Sequence, residues 1–466
     1  MTDLPDISGL ASVAPRGWKR LSRHLADLGL TSEAAAPSYA VCTQFPEEQR
    51  DPIRNWHLRR RDDLAAVAMR LLMFGDVVPQ SMATKALSTT FYEMLLGAGM
   101  LRVDAGEVRC VLRLGLIEDR FVLADDLAPG GDVVMGVRET TVPLWRAVAP
   151  SARIGRALDL GCGAGVIALL LSRHCAQVIA SDINPRAVAL ARVNVALNDI
   201  DNIDVREGDL YAPVSDETFD LIAAHPPYVA LPDATPAVLA THGGRRGDEV
   251  ACRILGQCAA HLAPGGLAVL QAHWPMRAGE TLSARLREVS GTEPDLLILR
   301  LGATSADDLA TFWGLHGHTP IAAVRDHYAR QGIVAAESCL CVVRRREAPP
   351  AWTGALDVPA ANAPYITAGS IATLLRSGEL LHGADEALLQ ARLRVPDGTS
   401  QVTVASTDGT RTMLMLPPSS LRQSAELTPN GLRVVAAVSG APTVRESGQA
   451  LDQVRQVLSS GVLEPM

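Results

Sequence analysis

Between 153 and 345 the chain alternates short apolar runs with helix-length segments of mixed polarity. The runs RALDLGCG, QVIASDI, IDVREGDL, FDLIAAHPP and GLAVLQAHW are bounded by Gly, Pro, Asn or Asp. Short apolar strands separated by helices predict an α/β unit with a doubly wound parallel sheet, because each parallel pair needs a crossover. SCLCVVRR at 338 to 345 is expected to close that sheet. Upstream, RDDLAAVAMRLLMF at 61 to 74 sets apolar residues at helical spacing behind two aspartates, which suit a helix N-terminus. MATKALSTTFYEMLLGAGML predicts a second helix, and VDAGEVRCVLRLGLIEDRFVLADD two strand-like stretches around a turn. The prolines of REAPPAWTGALDVPAANAPY at 346 to 365 predict a linker. Beyond it, a helix at AGSIATLLRSGELL, strands at QVTVAS and RTMLML, and a helix at ALDQVRQVLSSGVL predict a small α+β domain over 366–466.

A chain of 466 residues exceeds one typical domain of about 100 to 200 residues. The boundaries expected are 1–129, 130–345, the linker and 366–466. Helices followed by a β-ribbon make the first unit resemble a winged helix. Such a unit either contacts nucleic acid, here through HLRRR at 57 to 61, or docks and caps a substrate. The net charge of −8 favours the second use, and Asp62 and Asp63 follow the basic cluster directly. Hydrophobic residues at 48% and charged residues at 20% fit an ordinary globular chain, and aromatics at 4% leave a core of Ala, Val and Leu. The eight cysteines, at 42, 110, 162, 175, 252, 258, 339 and 341, sit in apolar segments and read as buried thiols. The N-terminus lacks a basic stretch followed by an apolar run, and no segment reaches about 18 apolar residues, so a cytoplasmic location without membrane contact is expected.

RALDLGCGAGVIALLLSRH places Asp159 at a strand end, then Gly161, Gly163 and Gly165, then a helix. Alternating glycines permit a tight turn and let backbone approach a ligand closely. The spacing is GxGxG, not the GxGxxG of dinucleotide sites. Asp182 ends the next strand in VIASDINP, where a carboxylate can accept two ribose hydroxyls, and Asp209 ends a further one in REGDLYAP. A lone aspartate at a strand end is usually a cap or turn former; three in register with a glycine loop point to a ligand.

These features resemble the class I S-adenosylmethionine-dependent methyltransferases, with their Rossmann-like sheet. HPPY at 225 to 228 is similar to the NPPY signature of the amino-directed members, especially the HemK-like release-factor glutamine methyltransferases. THGGRRGDEVACRILGQCAAHLAPGG is similar to the GG-x-x-G turn, helix and L-x-P-G-G that follow in that family. The resemblance covers about residues 130 to 345. It implies that Asp159, Gly161, Gly163 and Gly165 cradle the methionine part of S-adenosylmethionine, that Asp182 with Ile183 takes its ribose, and that Asp209 with Leu210 takes its adenine. Thr140 and Thr141, in MGVRETTVPLW, are candidates for the methionine carboxylate or for a helix N-cap.

In that family the first residue of the turn and the proline carbonyl accept hydrogen bonds from a planar NH2 group, and the tyrosine ring packs over it. Here those positions are His225, Pro226 and Tyr228. An imidazole differs from a carboxamide because it offers one acceptor and can also take a proton. It therefore serves either as a general base for an amine or hydroxyl, or as a plain acceptor in place of asparagine. His242 and His273 lie near the same sheet edge, with no carboxylates at metal-ligand spacing. Trp274 either walls a substrate pocket or covers the sheet. The expected function is methyl transfer to nitrogen or oxygen of a small metabolite or natural-product intermediate. The alternatives are a protein glutamine, a nucleic-acid amino group, or a methyltransferase fold that carries out elimination or cyclisation. A protein partner for the accessory domains is possible on this reading; a nucleic-acid or membrane partner is not expected.

Overall fold

A computed structural model of the chain describes residues 4–40, 43–45, 47–125, 132–232, 239–316, 319–346, 351–406, 409–422 and 424–466. Cys42, Asp126, the expected boundary at 129/130 and positions 347–350 of the expected linker lie outside the described residues.

The N-terminal region begins with helices α1 (Pro15–Asp27), α2 (Ser32–Ala40), α3 (Glu47–Leu58) and α4 (Leu64–Ala68), the last running on as a wider helical turn over Met69–Met73. Asp63 caps α4 by accepting from the Ala66 N–H at 2.8 Å, so the aspartates act as expected. Strand β1 (Val78–Pro79) leads into α5 (Gln80–Gly97), followed by β2 (Leu101–Asp104) and β3 (Glu107–Cys110) in an antiparallel sheet of order β1-β3-β2. The expected single helix of this stretch is broken, because Ser88 sits at φ 61°, ψ 156° and divides α5 in two. A second ribbon, β4 (Leu112–Ile117) and β5 (Arg120–Asp125), carries the chain to the central sheet.

That sheet is built from β6 (Ile154–Leu160), β7 (Cys175–Asp182), β8 (Ile203–Glu207), β9 (Phe219–Ala224), β10 (Leu262–Arg277), β11 (Asp295–Ser305), β12 (Ile333–Arg344) and β13 (Thr353–Asp357). Helix α6 (Thr141–Val148) precedes it. Helices α7 (Val166–Leu171), α8 (Pro185–Leu197), α9 (Glu249–Cys258), α10 (Leu282–Ser290), α11 (Ala306–His316) and α12 (Ile321–Gln331) connect the strands, and α13 (Ala368–His382) follows the last. The strand order is β13-β11-β12-β10-β9-β6-β7-β8. The five strands from β8 to β10 are parallel, and the order reverses between β6 and its neighbours β7 and β9, which is where α/β sheets bind ligands.

Two expectations are corrected here. The sheet is mixed rather than parallel throughout: β12 runs antiparallel to both β10 and β11 and lies inside the sheet rather than closing it. The stretch expected as a linker carries the edge strand β13, parallel to β11, and buried Trp352. Both differences arise from long-range pairing, to which local proline content is blind.

Side-chain alternation gives the sheet two faces. Ala157, Val178, Leu221, Val269 and Leu340 belong to the core shared with the N-terminal region, α7, α8 and α13, whereas Leu158, Ile179, Ile222, Leu270 and Cys341 pack against α9 and α10. The first face, continued to the carboxyl ends of the strands, carries the candidate site. Residues 385–466 form a separate small core around Leu388, Val434, Val438, Val454 and Leu458. The seven described cysteines are free. Among the described residues no helix is long and apolar enough to cross a membrane.

Candidate active site

After β6 the chain turns through Gly161, Gly163 and Gly165, all at positive φ (72°, 53° and 82°), where a Cβ is costly. A Cβ at Gly161 would meet nothing within 4 Å, and one at Gly163 only the Met135 carbonyl oxygen at 4.0 Å. The loop therefore presents bare backbone to open space at the sheet's carboxyl edge. Gly165 serves packing instead: its Cβ would lie 3.3 Å from that of Ala191, so the glycine lets α7 approach α8.

Asp159 lies beneath this loop, 4% exposed, with one carboxylate oxygen accepting from the Ala168 N–H at 2.8 Å. Burial pushes its pKa up to about 7; Asp182 adds to the rise, and the Ala168 N–H opposes it. Asp182 accepts from the Gly163 N–H at 2.8 Å and the Asn184 N–H at 2.9 Å, so its carboxylate orients the glycine loop. Each of its oxygens retains a lone pair for a further donor. Ile183 beside it is 53% exposed. Asp209 pairs with Arg253 of α9 at 2.5 Å, a contact that spacing along the chain could not show. Leu210 takes φ 49°, unusual for a side-chain-bearing residue, and packs against the α9 face. Thr140 makes no capping bond, which removes that alternative for it; the Thr141 hydroxyl accepts from the Arg138 N–H at 3.2 Å and closes the turn into α6. Bare backbone over a pair of carboxylates at a strand-order reversal fits the cationic sulfonium and ribose of S-adenosylmethionine.

On the other side of β6, β9 delivers the proline turn. Three rings stack there: His225 and Tyr228 with centroids 5.8 Å apart and 20° between planes, and Tyr228 and His273 at 4.4 Å and 14°. Burial, then the neighbouring His273, lowers the His225 pKa to about 4, so its imidazole is neutral at physiological pH. His273 is lowered by burial too, and burial raises Tyr228 while Arg138 partly offsets it. Pro226 is buried.

The glycine-rich turn after this corner braces it. The Val229 N–H donates to the Thr241 carbonyl at 2.9 Å and the Gly243 N–H to the Val229 carbonyl at 3.0 Å, with a bridge between Val229 and His242. A Cβ at Gly243 would collide with the Gly247 and Pro227 carbonyls. Behind the brace, Asp248 takes Arg285 at 3.0 Å, and His327 of α12 bonds the Arg245 carbonyl at 2.6 Å. Beyond Tyr228 and His273 a narrow crevice is lined also by Trp313 and Tyr328 of the α11–α12 hairpin.

The structure thus gathers His225, Pro226, Tyr228 and His273 on one side of β6 and the glycine loop with Asp159 and Asp182 on the other. Trp274 is not a pocket wall; it is fully buried on the α9 face, opposite His273. Most of the basic residues here are paired within the region, Arg54 with Asp51 at 2.8 Å, Arg59 with Asp76 at 2.5 Å and Arg61 with Asp63 at 2.8 Å, while the exposed Arg60 lies over the Trp56 ring. Sequence reasoning passed over Gln271, which is 6% exposed and has a carboxamide oxygen without a hydrogen-bond partner among the described residues. A polar residue in the apolar run GLAVLQAHW, two before His273, was the available signal. Among the described residues no group of three or more His, Cys, Asp or Glu is placed to hold a metal.

Residues 143–293 match the methyltransferase small domain family. The chain is similar to the release factor glutamine methyltransferase of Deinococcus radiodurans, 38% identical over 154 residues, covering 30% of this chain and 54% of that protein. It is similar also to the ribosomal protein uL3 glutamine methyltransferase of Bradyrhizobium diazoefficiens, 40% identical over 124 residues, covering 24% and 39%. A solved methyltransferase from Pyrococcus furiosus aligns at 18% identity and a TM-score of 0.29, over 46% of this chain and 89% of that one. The chain thus spans about half the length, or less, of the curated relatives it matches. Both of these relatives are named as glutamine methyltransferases, one of a release factor and one of a ribosomal protein. The glycine loop, its carboxylates and the braced proline turn all lie within residues 143–293, the part of the chain that matches the methyltransferase small domain, a domain of S-adenosylmethionine-dependent methyltransferases.

Proposed function

We propose that the protein transfers the methyl group of S-adenosylmethionine to the side-chain amide nitrogen of a glutamine in a protein. The observation that carries this reading is the neutral His225 imidazole, lowered to about 4, at the head of a flat ring stack. A planar amide needs an acceptor for its N–H and a flat surface beside it, rather than a strong base. His225 accepts one N–H, the Pro226 carbonyl is its companion acceptor, and Tyr228 lies against the amide plane. The bound cofactor supplies an electrophilic methyl on a sulfonium. Asp159, the glycine loop and Asp182 hold the methionine and ribose parts, Asp209 and Leu210 border the adenine, and the exposed Ile183 flanks it. Thr141 keeps the turn into α6 closed near the methionine carboxylate. The protein's part in catalysis is orientation and exclusion of water.

The accessory regions fit a macromolecular acceptor. The order α4, β1, the two halves of α5, then β2 and β3 supports reading residues 1–129 as a winged-helix-like unit that docks a protein. The second accessory unit, expected from 366, is read as residues 385–466, because α13 packs into the core of the catalytic sheet. Incubating the protein with methyl-labelled S-adenosylmethionine and a fractionated cell extract tests the acceptor class. Label in the protein fraction is expected; label confined to metabolites or to nucleic acid replaces the reading with the corresponding alternative, and release of no S-adenosylhomocysteine replaces it with non-methylating chemistry.

A further inference from the structure

The α11–α12 hairpin is inserted between β11 and β12, and its helices are joined by the Asp307–Arg325 pair at 2.7 Å. It holds the proline corner at two points. Ala230, two residues past Tyr228, is buried with Ala310, Val324 and Tyr328 of the hairpin and Ile333 at the start of β12. His327, 3% exposed on α12, donates from Nε2 to the Arg245 carbonyl at 2.6 Å, since a carbonyl oxygen can only accept. Arg245 belongs to the glycine turn that braces the corner, and there backbone rests on backbone. A Cβ at Gly247, itself at φ 88°, would lie 2.8 Å from the Ala230 nitrogen and 2.9 Å from the Tyr228 carbonyl oxygen; one at Gly243 would lie 2.7 Å from the Pro227 carbonyl oxygen. Packing this close leaves no slack, so a shift at Arg245 reaches Pro227, Tyr228 and Ala230 within two residues of turn.

We infer that His327 is a positioning residue for methyl transfer: its hydrogen bond anchors the glycine turn to α12, and through that turn it fixes where His225, Pro226 and Tyr228 present the acceptor to the bound cofactor. The inference rests on the reading that the proline corner receives the acceptor. It adds that the hairpin, which lies outside the matched residues 143–293, takes part in turnover. The sensitivity is that of an oriented displacement, in which a shift of about 1 Å far from the chemistry can cost about 100-fold. His327 touches neither cofactor nor acceptor in this scheme, so its removal acts on the rate and leaves cofactor binding alone.

The test pairs His327→Phe, which keeps a flat ring and removes the donor, with His327→Gln, which keeps an N–H at similar reach. Three quantities are read: kcat and KM for a synthetic peptide carrying one glutamine, drawn from a panel screened on wild type, and the affinity for S-adenosylmethionine. For His327→Phe the expected result is a kcat lowered about 10-fold to 100-fold, a peptide KM within about threefold of wild type and unchanged cofactor affinity, with His327→Gln restoring kcat to within about threefold. If the Phe variant does not fold, His327→Asn, polar but too short to reach the carbonyl, takes its place with the same expectation. An unchanged kcat without the donor overturns the inference, as do a loss that Gln does not restore, a parallel loss of cofactor affinity, or failure of both Phe and Asn variants to fold, which shows His327 to be structural. All of these leave the functional reading standing. A wild type that methylates no glutamine peptide or protein overturns the functional reading, and this inference with it.

Discussion

The imidazole of His225 is held half out of water beside a second imidazole, and both features favour its neutral form. A solvated histidine titrates near 6.5, but here the folded-state value is about 4. Between those values the unfolded chain takes up a proton that the folded one refuses. The residue's contribution to stability is therefore complete above about 6.5 and is lost as pH falls toward 4. Methyl transfer should be level from pH 8 to about 5 and decline only near 4; a decline centred near 6.5 shows a solvated, proton-taking histidine instead. His225→Asn keeps an acceptor and should stay within about tenfold of wild type, whereas His225→Leu should lose about 100-fold. The opposite pattern, with Asn as damaging as Leu, would indicate general-base catalysis. At Asp182 the carboxylate already holds Gly163 and Asn184, and two further charge-assisted bonds to ribose are available. Asp182→Ala should weaken S-adenosylmethionine by about 2 to 3 kcal/mol in calorimetry, and unchanged affinity removes the ribose assignment.

At the scale of elements, β5 is docked on α8 by two asparagines that imitate a strand partner. Asn194 accepts from the Leu123 N–H at 2.7 Å and donates to the Leu123 and Ala164 carbonyls, each at 2.9 Å; Asn198 accepts from the Phe121 N–H at 2.9 Å and donates to its carbonyl at 2.7 Å. The Ala164 bond ties this docking to the glycine loop. Asn194→Ala leaves three buried backbone groups unpaired and should cost about 3 kcal/mol in urea unfolding, while the less buried Asn198→Ala should cost about 1. Equal, small losses would show that side-chain packing alone holds the ribbon. Neither asparagine was legible in the sequence, because nothing local distinguishes them from surface polar residues of a helix. The glycine loop and the proline corner were legible, because positive φ and missing donors are properties of the residues themselves. The antiparallel insertion of β12, the Asp209–Arg253 pair and the buried side of Trp274 were not, since each depends on which distant segment lies alongside.

Across the whole molecule, the catalytic sheet does not end where its motifs do. Trp352 donates its backbone N–H to Asp295 at 3.2 Å and accepts from the Leu296 N–H at 2.9 Å, while the fully buried Asp295 also takes Arg344 at 2.5 Å. Helix α13 lays Gly378 on the Trp352 ring and adds Ile371 and Leu375 to the core of the site-bearing face. A chain ending at 346 strips the sheet of β13 and α13 and should be insoluble or melt well below the full chain; one ending at 384 should keep the sheet's melting transition. Equal melting of the two would make 346 a true domain boundary. The N-terminal region shares the same core, so the accessory parts are built onto the catalytic sheet, an arrangement suited to presenting one segment of a large acceptor to the proline corner. The most direct measurement is tandem mass spectrometry on protein labelled by the purified enzyme with methyl-deuterated S-adenosylmethionine, locating the transferred methyl on the acceptor chain. The account predicts the label on the side-chain amide nitrogen of a glutamine; label on a lysine, arginine, carboxylate or hydroxyl, or no label on any protein, would contradict it.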